Sequence, residues 1–221
     1  MIEFDRVSKS YGRNDGPLET ISFRLQKGEF AFLTGPSGAG KTTLLKLIYR
    51  EEQPTRGRVV VRGQELSRLS PGQVQVLRRR LGVVFQDGRL IPSRDVLENV
   101  VFVLRAMGLP ARAQKERALA VLRWVGLTHK MRAAPRELSG GEQQRVAIAR
   151  AIAADPEILL ADEPTGNLDR DLSLEILDLF RRINGRGTTI LIATHDLHLT
   201  GSLRRRQLHL EGGRLTEETP S

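Results

Sequence analysis

The sequence contains no cysteine, which excludes disulfides and thiolate metal sites and implies no oxidising compartment. Aromatic residues make up only 5% of the chain and do not interleave with its basic runs, which argues against a single-strand nucleic-acid surface. Long apolar runs are missing too. The most tempting stretch, Val100-Val101-Phe102-Val103-Leu104, is far below the roughly 20 residues that span a bilayer. The opening residues, Met1-Ile2-Glu3-Phe4-Asp5, carry acids where a secretory signal carries a basic and then an apolar segment. The expectation is a cytoplasmic chain that reaches any membrane through a partner or through charge. Positive charge is what the chain has in excess: 35 Lys and Arg against 26 Asp and Glu, a net +9, with runs such as Arg78-Arg79-Arg80 and Arg204-Arg205-Arg206. An anionic membrane or nucleic acid is one reading of that excess. A solvated, arginine-rich surface is the plainer reading and ranks first.

A length of 221 residues suits one large domain, or a core with an inserted subdomain. Short strand-type runs occur at Ile2 to Val7, Ile21 to Leu25, Phe30 to Leu33, Arg58 to Arg62, Val83 to Phe85, Ile158 to Ala161 and Thr189 to Ala193. The last two are apolar on both faces, as in central strands of a covered parallel sheet. Between them a helical stretch from Ser173 to Ile183, with Leu174, Ile176 and Leu177 on its buried side, completes a βαβ unit. From Asp87 to Arg136 the strand signal fades, and Ala118, Val121, Leu122 and Val125 recur at helical spacing until Gly126. This predicts a helical subdomain inserted into an α/β core. The tail, Gly212-Gly213-Arg214-Leu215 and then 216–221, reads as a last turn and a frayed end.

Gly35-Pro36-Ser37-Gly38-Ala39-Gly40-Lys41-Thr42 satisfies G-x-x-x-x-G-K-[ST] at every fixed position. It follows the apolar Phe30-Ala31-Phe32-Leu33 and opens the amphipathic run from Thr43 to Ile48, the strand–loop–helix context the motif needs. Its glycines let successive N–H groups converge on phosphate oxygens, and the helix adds the positive end of its dipole. Lys41 is placed to reach the terminal phosphates and Thr42 to ligate Mg²⁺; a glycine-rich surface turn is the bland alternative, and the flanking elements disfavour it. Ile158-Leu159-Leu160-Ala161-Asp162-Glu163 is a buried strand ending in two carboxylates. Asp162 suits the metal and Glu163 suits polarising an attacking water. Leu138-Ser139-Gly140-Gly141-Glu142 begins a second helix, readable as an anion site or as a plain cap with Ser139 and Glu142 in a capping box. Two phosphate-binding helix ends with one nucleotide-sized site make sense if the second end serves another copy of the chain.

These segments resemble an ATP-binding-cassette (ABC) ATPase over essentially the whole length. Gly35 to Thr42 resembles Walker A, Ile158 to Glu163 Walker B, Leu138 to Glu142 the signature and Asn167-Leu168-Asp169 the D-loop. Gln86 matches the Q-loop glutamine, His195 the switch histidine and Tyr11 the aromatic that stacks on adenine. The resemblance implies an α/β P-loop NTPase (RecA-like) core at 1–86 and 150–221, with an N-terminal antiparallel β portion, and a helical subdomain carrying the signature at 87–149. It implies Mg-dependent ATP hydrolysis with Glu163, His195 and Gln86 as catalytic groups and Thr42, Gln86 and Asp162 around the metal. Nucleotide would be held by Tyr11, Gly35, Pro36, Ser37, Gly38, Ala39, Gly40, Lys41, Thr42 and Thr43 of one copy. Ser139, Gly140, Gly141 and Asp169 would serve the homodimer with two ATP at its interface.

Ala161 to Asp169 is similar to the subgroup serving lipoprotein release, macrolide-type export and cell division, and Ala31 to Ile48 looks most like its cell-division branch. That branch implies an integral membrane partner of FtsX type and a peripheral location on the inner face of the membrane. The partner is expected beside Gln86, against Leu90 to Leu104. One departure stands there: Ser93-Arg94-Asp95-Val96 replaces the usual hydrophobic-then-Thr-Val pattern. The competing readings are a lipoprotein-releasing or macrolide-type exporter and a soluble ABC ATPase acting on nucleic acid. The last usually carries a long coiled-coil insertion or two fused cassettes, and neither is seen here, so no nucleic-acid partner is expected.

Overall fold

The computed structural model describes residues 1–12 and 16–218. Its first half contains strands β1 (Ile2–Lys9), β2 (Leu18–Leu25) and β3 (Phe30–Thr34), helix α1 (Lys41–Ile48), strands β4 (Arg56–Val61) and β5 (Gln64–Glu65), helix α2 (Pro71–Arg78) and strand β6 (Leu81–Val84). Three helices follow without an intervening strand: α3 (Val96–Ala106), α4 (Ala111–Trp124) and α5 (Gly140–Ile152). The chain then closes with β7 (Ile158–Asp162), α6 (Arg170–Asn184), β8 (Thr189–Thr194), α7 (Leu197–Leu203), β9 (Arg206–Glu211) and β10 (Arg214–Glu218).

Two sheets result. One is antiparallel, in the order β2-β1-β4-β5; the other runs β10-β9-β3-β8-β7-β6, parallel except for the β9–β10 hairpin. The two-residue period of a strand decides which core each side chain joins. Ala31 and Leu33 of β3, Ile158 and Leu160 of β7, and Leu191 and Ala193 of β8 face α1 and the antiparallel sheet. Their neighbours Phe30, Phe32, Leu159, Ala161, Ile190 and Ile192 face α6 on the other side. Both faces are covered, which is why these strands are apolar throughout. A third cluster, including Val96, Val100, Leu104, Leu122 and Val146, joins α3, α4 and α5. Helix α5 serves two clusters, with Val146 and Ala149 in the third and Ala147 and Ile148 against the sheet. The expected boundary between 149 and 150 falls within it.

Two local expectations are corrected. The tail is no frayed end as far as Glu218: β10 pairs along β9 from Arg214↔Glu211 to Glu218↔Gln207, while 219–221 lie outside the described residues. Leu174 faces solvent, 41% exposed, whereas Ile176 and Leu177 are buried as expected, together with Leu179, Phe180 and Ile183. Among the described residues no helix is long and apolar enough to cross a membrane.

Candidate nucleotide site

The parallel strands β3, β7 and β8 end at the same edge of the sheet, the edge where open α/β sheets hold their ligands. The loop from Gly35 to Gly40 leaves β3 there and turns into α1. Gly35 has φ 142 and Gly40 φ 102, values that disfavour any side chain. Neighbouring backbone enforces the same choice: a Cβ at Gly35 would lie 2.0 Å from the Leu210 carbonyl oxygen, and one at Gly40 would lie 2.7 Å from that of Pro17. Helix α1 starts with no side-chain cap, so its leading N–H groups point into the loop without a competing acceptor. Lys41 is buried; its Nζ donates to Gly35 O at 2.7 Å and Pro36 O at 3.1 Å and lies 3.5 Å from Glu163 Oε1. The ammonium is thus held over the loop, offset by a carboxylate and carbonyl oxygens.

Thr42 Oγ1 donates to Asp162 Oδ2 at 2.8 Å. Burial pushes the Asp162 carboxyl above the usual carboxylate range, with the Thr42 hydrogen bond opposing it and the Glu163 charge adding to it. Glu163 sits in the left-handed region, φ 46, a strained setting for a residue with a side chain. Its N–H donates to Ala193 O at 2.9 Å, which holds the turn against β8. Its Oε1 lies 2.9 Å from His195 Nδ1, and its Oε2 accepts the His195 N–H at 3.3 Å. Gln86, two residues beyond β6, is exposed at the same cleft. Tyr11 is 60% exposed, with its hydroxyl 3.3 Å from Thr43 Oγ1 and Lys9 Nζ 4.8 Å over its ring.

The cleft measures about 450 Å³, and Tyr11, Ser37, Gly38, Gly40, Lys41, Thr42, Thr43, Gln86, Asp162, Glu163 and His195 line it. Gly35 and Pro36 contribute carbonyls behind Lys41, and Ala39 closes the loop by donating its N–H to Pro36 O at 3.2 Å. Pro17 also lines the cleft, and neither it nor Lys9, which lies over the Tyr11 ring without lining the cleft, stood out in the sequence. The Gly16-Pro17 break before β2 is a signal that could have found Pro17; nothing local marks Lys9. Ser139, Gly140, Gly141 and Asp169 lie outside the cleft. Ser139 Oγ accepts the Glu142 N–H at 3.2 Å while Glu142 Oε2 accepts the Ser139 N–H at 2.9 Å, a complete capping box. Asp169 caps α6 through Leu172 N–H at 2.9 Å.

Among the described residues no group of three or more His, Asp or Glu side chains forms a metal cluster. The Thr42 hydroxyl and the Asp162 carboxylate are nonetheless hard oxygen donors, and Mg²⁺ is usually held by one or two carboxylates plus phosphate and water oxygens. The donor set therefore fits Mg²⁺ with a bound triphosphate. Beyond Gln86, a groove of about 690 Å³ runs between the core and α3, with Phe85, Ile91, Phe102 and Val103 along it and Arg89 and Arg150 beside them.

The family model described as ABC transporter matches residues 18–166. The chain is 47% identical over 218 residues to the cell division ATP-binding protein FtsE of Streptococcus pneumoniae serotype 2, covering 99% of this chain and 95% of that protein. It is 47% identical over 215 residues to FtsE of Escherichia coli K12, covering 97% of each. In structure it is similar to the ATP-binding cassette MJ0796, dimeric in a post-hydrolysis state bound to ADP and Pi. The TM-score is 0.90 at 34% identity, over 100% of this chain and 99% of that one.

Proposed function

The chain belongs to the ABC transporter family, and from that membership we propose that it is the ATP-hydrolysing subunit of an FtsEX-like membrane complex acting in cell division. It binds and hydrolyses ATP. The observation that carries this reading is the convergence of Lys41, Thr42, Asp162, Glu163 and His195, from three separated segments, on one cleft within a chain so similar to FtsE over its length.

In this reading the loop N–H groups and Lys41 hold the phosphates and Tyr11 lies against the adenine. Glu163 orients the attacking water and takes its proton as the oxygen bonds to the γ-phosphorus and ADP departs. His195, hydrogen-bonded to Glu163 through Nδ1, keeps that carboxylate aimed. Thr42, Asp162 and Gln86 would hold Mg²⁺, which when bound neutralises charge on the phosphate oxygens. The chain forms a homodimer in which Ser139, Gly140, Gly141 and Asp169 of each copy complete the other's nucleotide site. The 87–149 segment acts as the helical subdomain of a single cassette domain. An integral membrane protein of FtsX type seats in the groove beside Gln86, against Ile91, Phe102 and Val103. That seat keeps the chain peripheral on the inner face of the membrane. The groove supports this placement because it is apolar at its centre, arginine-rimmed and continuous with the Gln86 segment.

Depletion in the native cell tests the assignment, with co-purification from detergent-solubilised membranes as its companion. Division should fail on depletion and recover with the wild-type chain but not with Glu163→Gln, and an FtsX-type protein should co-purify. Normal division on depletion, together with a lipoprotein-releasing or efflux permease as the recovered partner, would overturn the division role.

A further inference from the structure

At the sheet edge opposite the nucleotide lies a separate cleft of about 360 Å³. Its walls come from residues that precede β7 and β8, such as Asp155 and Arg186, whereas the nucleotide site is built from residues that follow those strands. The length of the strands, about 3.3 Å per residue, separates the two sites. The other wall is α4, so the cleft crosses the seam between α4 and the end of α6. Its floor is apolar: Trp124, Ile152 and Pro156. Trp124, the chain's only tryptophan, is half-buried and packs against both the α6 cluster and the α3–α4–α5 cluster.

The charges around this floor are unequal. Arg182 lies 4.6 Å over the Trp124 ring, and Arg186 stands at the rim; neither has a carboxylate partner among the described residues. Arg117 at the rim is already engaged: its Nε donates to the Ala153 carbonyl, and Asp155 lies 3.9 Å from its guanidinium. An apolar floor under two uncompensated guanidinium groups selects an occupant that is apolar at one point and anionic beside it. We propose that this cleft is a docking site for an acidic protein segment that inserts one aliphatic side chain against Trp124 and sets its carboxylates on Arg182 and Arg186. A planar lipid surface meets the rim and leaves the recessed floor uncovered. A nucleobase loses the ring face that Arg182 already covers. The segment clamps α4 to the end of α6 without competing for the nucleotide.

Trp124 reports on the cleft directly, since no other tryptophan contributes to the emission. The full chain is titrated with a synthetic Asp-Glu-Glu-Leu-Asp-Glu peptide, with the same peptide carrying Lys in place of each acid, and with phosphatidylglycerol vesicles. The acidic peptide should shift the emission saturably and equally with and without ATP. Arg186→Glu, at the exposed rim, and Ala120→Glu, exposed on α4, should each weaken it at least ~10-fold, while Arg186→Lys retains it. ATP turnover in these variants should stay at the wild-type rate, since neither position belongs to the nucleotide site. No shift with the acidic peptide, an equal shift with the basic one, undiminished binding in both Glu variants, or a response to vesicles alone would each overturn the proposal.

Discussion

Helices α1 and α5 both begin among glycines, yet they begin in opposite states. At α1 the N-cap is Gly40, in a left-handed conformation and with no side-chain hydrogen bond. At α5 the N-cap is Ser139, and its hydroxyl and the Glu142 carboxylate satisfy each other's backbone donors. The first helix start is left open to an acceptor from outside the chain. The second is closed by the chain itself, and the Ser139 N–H holds the Glu142 carboxyl below its usual range. A glycine-rich helix start is therefore not one kind of site. Where no side chain can cap, backbone donors are organised for a ligand; where one can, a ligand must add to an already satisfied end.

The open end should carry the larger effects. Lys41→Ala should abolish nucleotide binding by calorimetry, because it removes the one ammonium held over the loop. If the Glu163 carboxylate acts on the attacking water as proposed, Glu163→Gln should keep binding and lower turnover at least ~100-fold. A Glu163→Gln chain turning over near the wild-type rate would remove Glu163 from its role. Next in size is assembly. If the α5 start of one copy completes the site of another, Glu163→Gln should shift toward dimer in sedimentation at micromolar protein when Mg-ATP is added. An unchanged sedimentation coefficient would leave that start a cap and nothing more.

Smaller effects sharpen the same contrast. Ser139→Ala should cost about 1 kcal/mol of folding stability in urea melts of the nucleotide-free chain, the worth of an N-cap. An unaltered midpoint would show that the capping box contributes nothing to α5. Asp162→Asn tests the cost of keeping a carboxylate ready at the open site. Because burial raises the Asp162 pKa, the folded chain binds that proton more tightly than the unfolded one. Stability from this group is therefore present at low pH and is lost as pH rises from the ordinary carboxylate range through the raised value. Asp162→Asn should melt higher than wild type above that window and converge with it below; a gap that closes as pH rises would reverse the sign.

Much of the fold and site was legible in the sequence because it rests on short-range pattern. The P-loop between an apolar strand and an amphipathic helix is written within nineteen positions, Phe30 to Ile48, and the doubly apolar β7 and β8 announce a covered parallel sheet. The chemistry of Lys41, Thr42, Asp162 and Glu163 follows from their residue types at those spacings. The β9–β10 hairpin did not announce itself, because Arg206 and His209 are not strand-typical residues and β10 is mostly exposed and charged. Leu174 is apolar by type and solvent-facing by angle, since the buried arc of α6 is set by Ile176, Phe180 and Ile183 against the sheet.

The sequence by itself determined where the glycine-rich loop, the hydroxyl, the ammonium and the carboxylates stand, and on which kind of local element each does. Only the tertiary structure decided which of those groups meet. It brought His195 to Glu163 from a different strand, laid the Leu210 carbonyl where only glycine fits at position 35, and gathered Trp124, Arg182 and Arg186 at the opposite edge. The reason is one of range. Periodicity, capping and turn preferences act over a few neighbouring residues, whereas contacts across more than thirty positions exist only once both faces of the sheet have been packed.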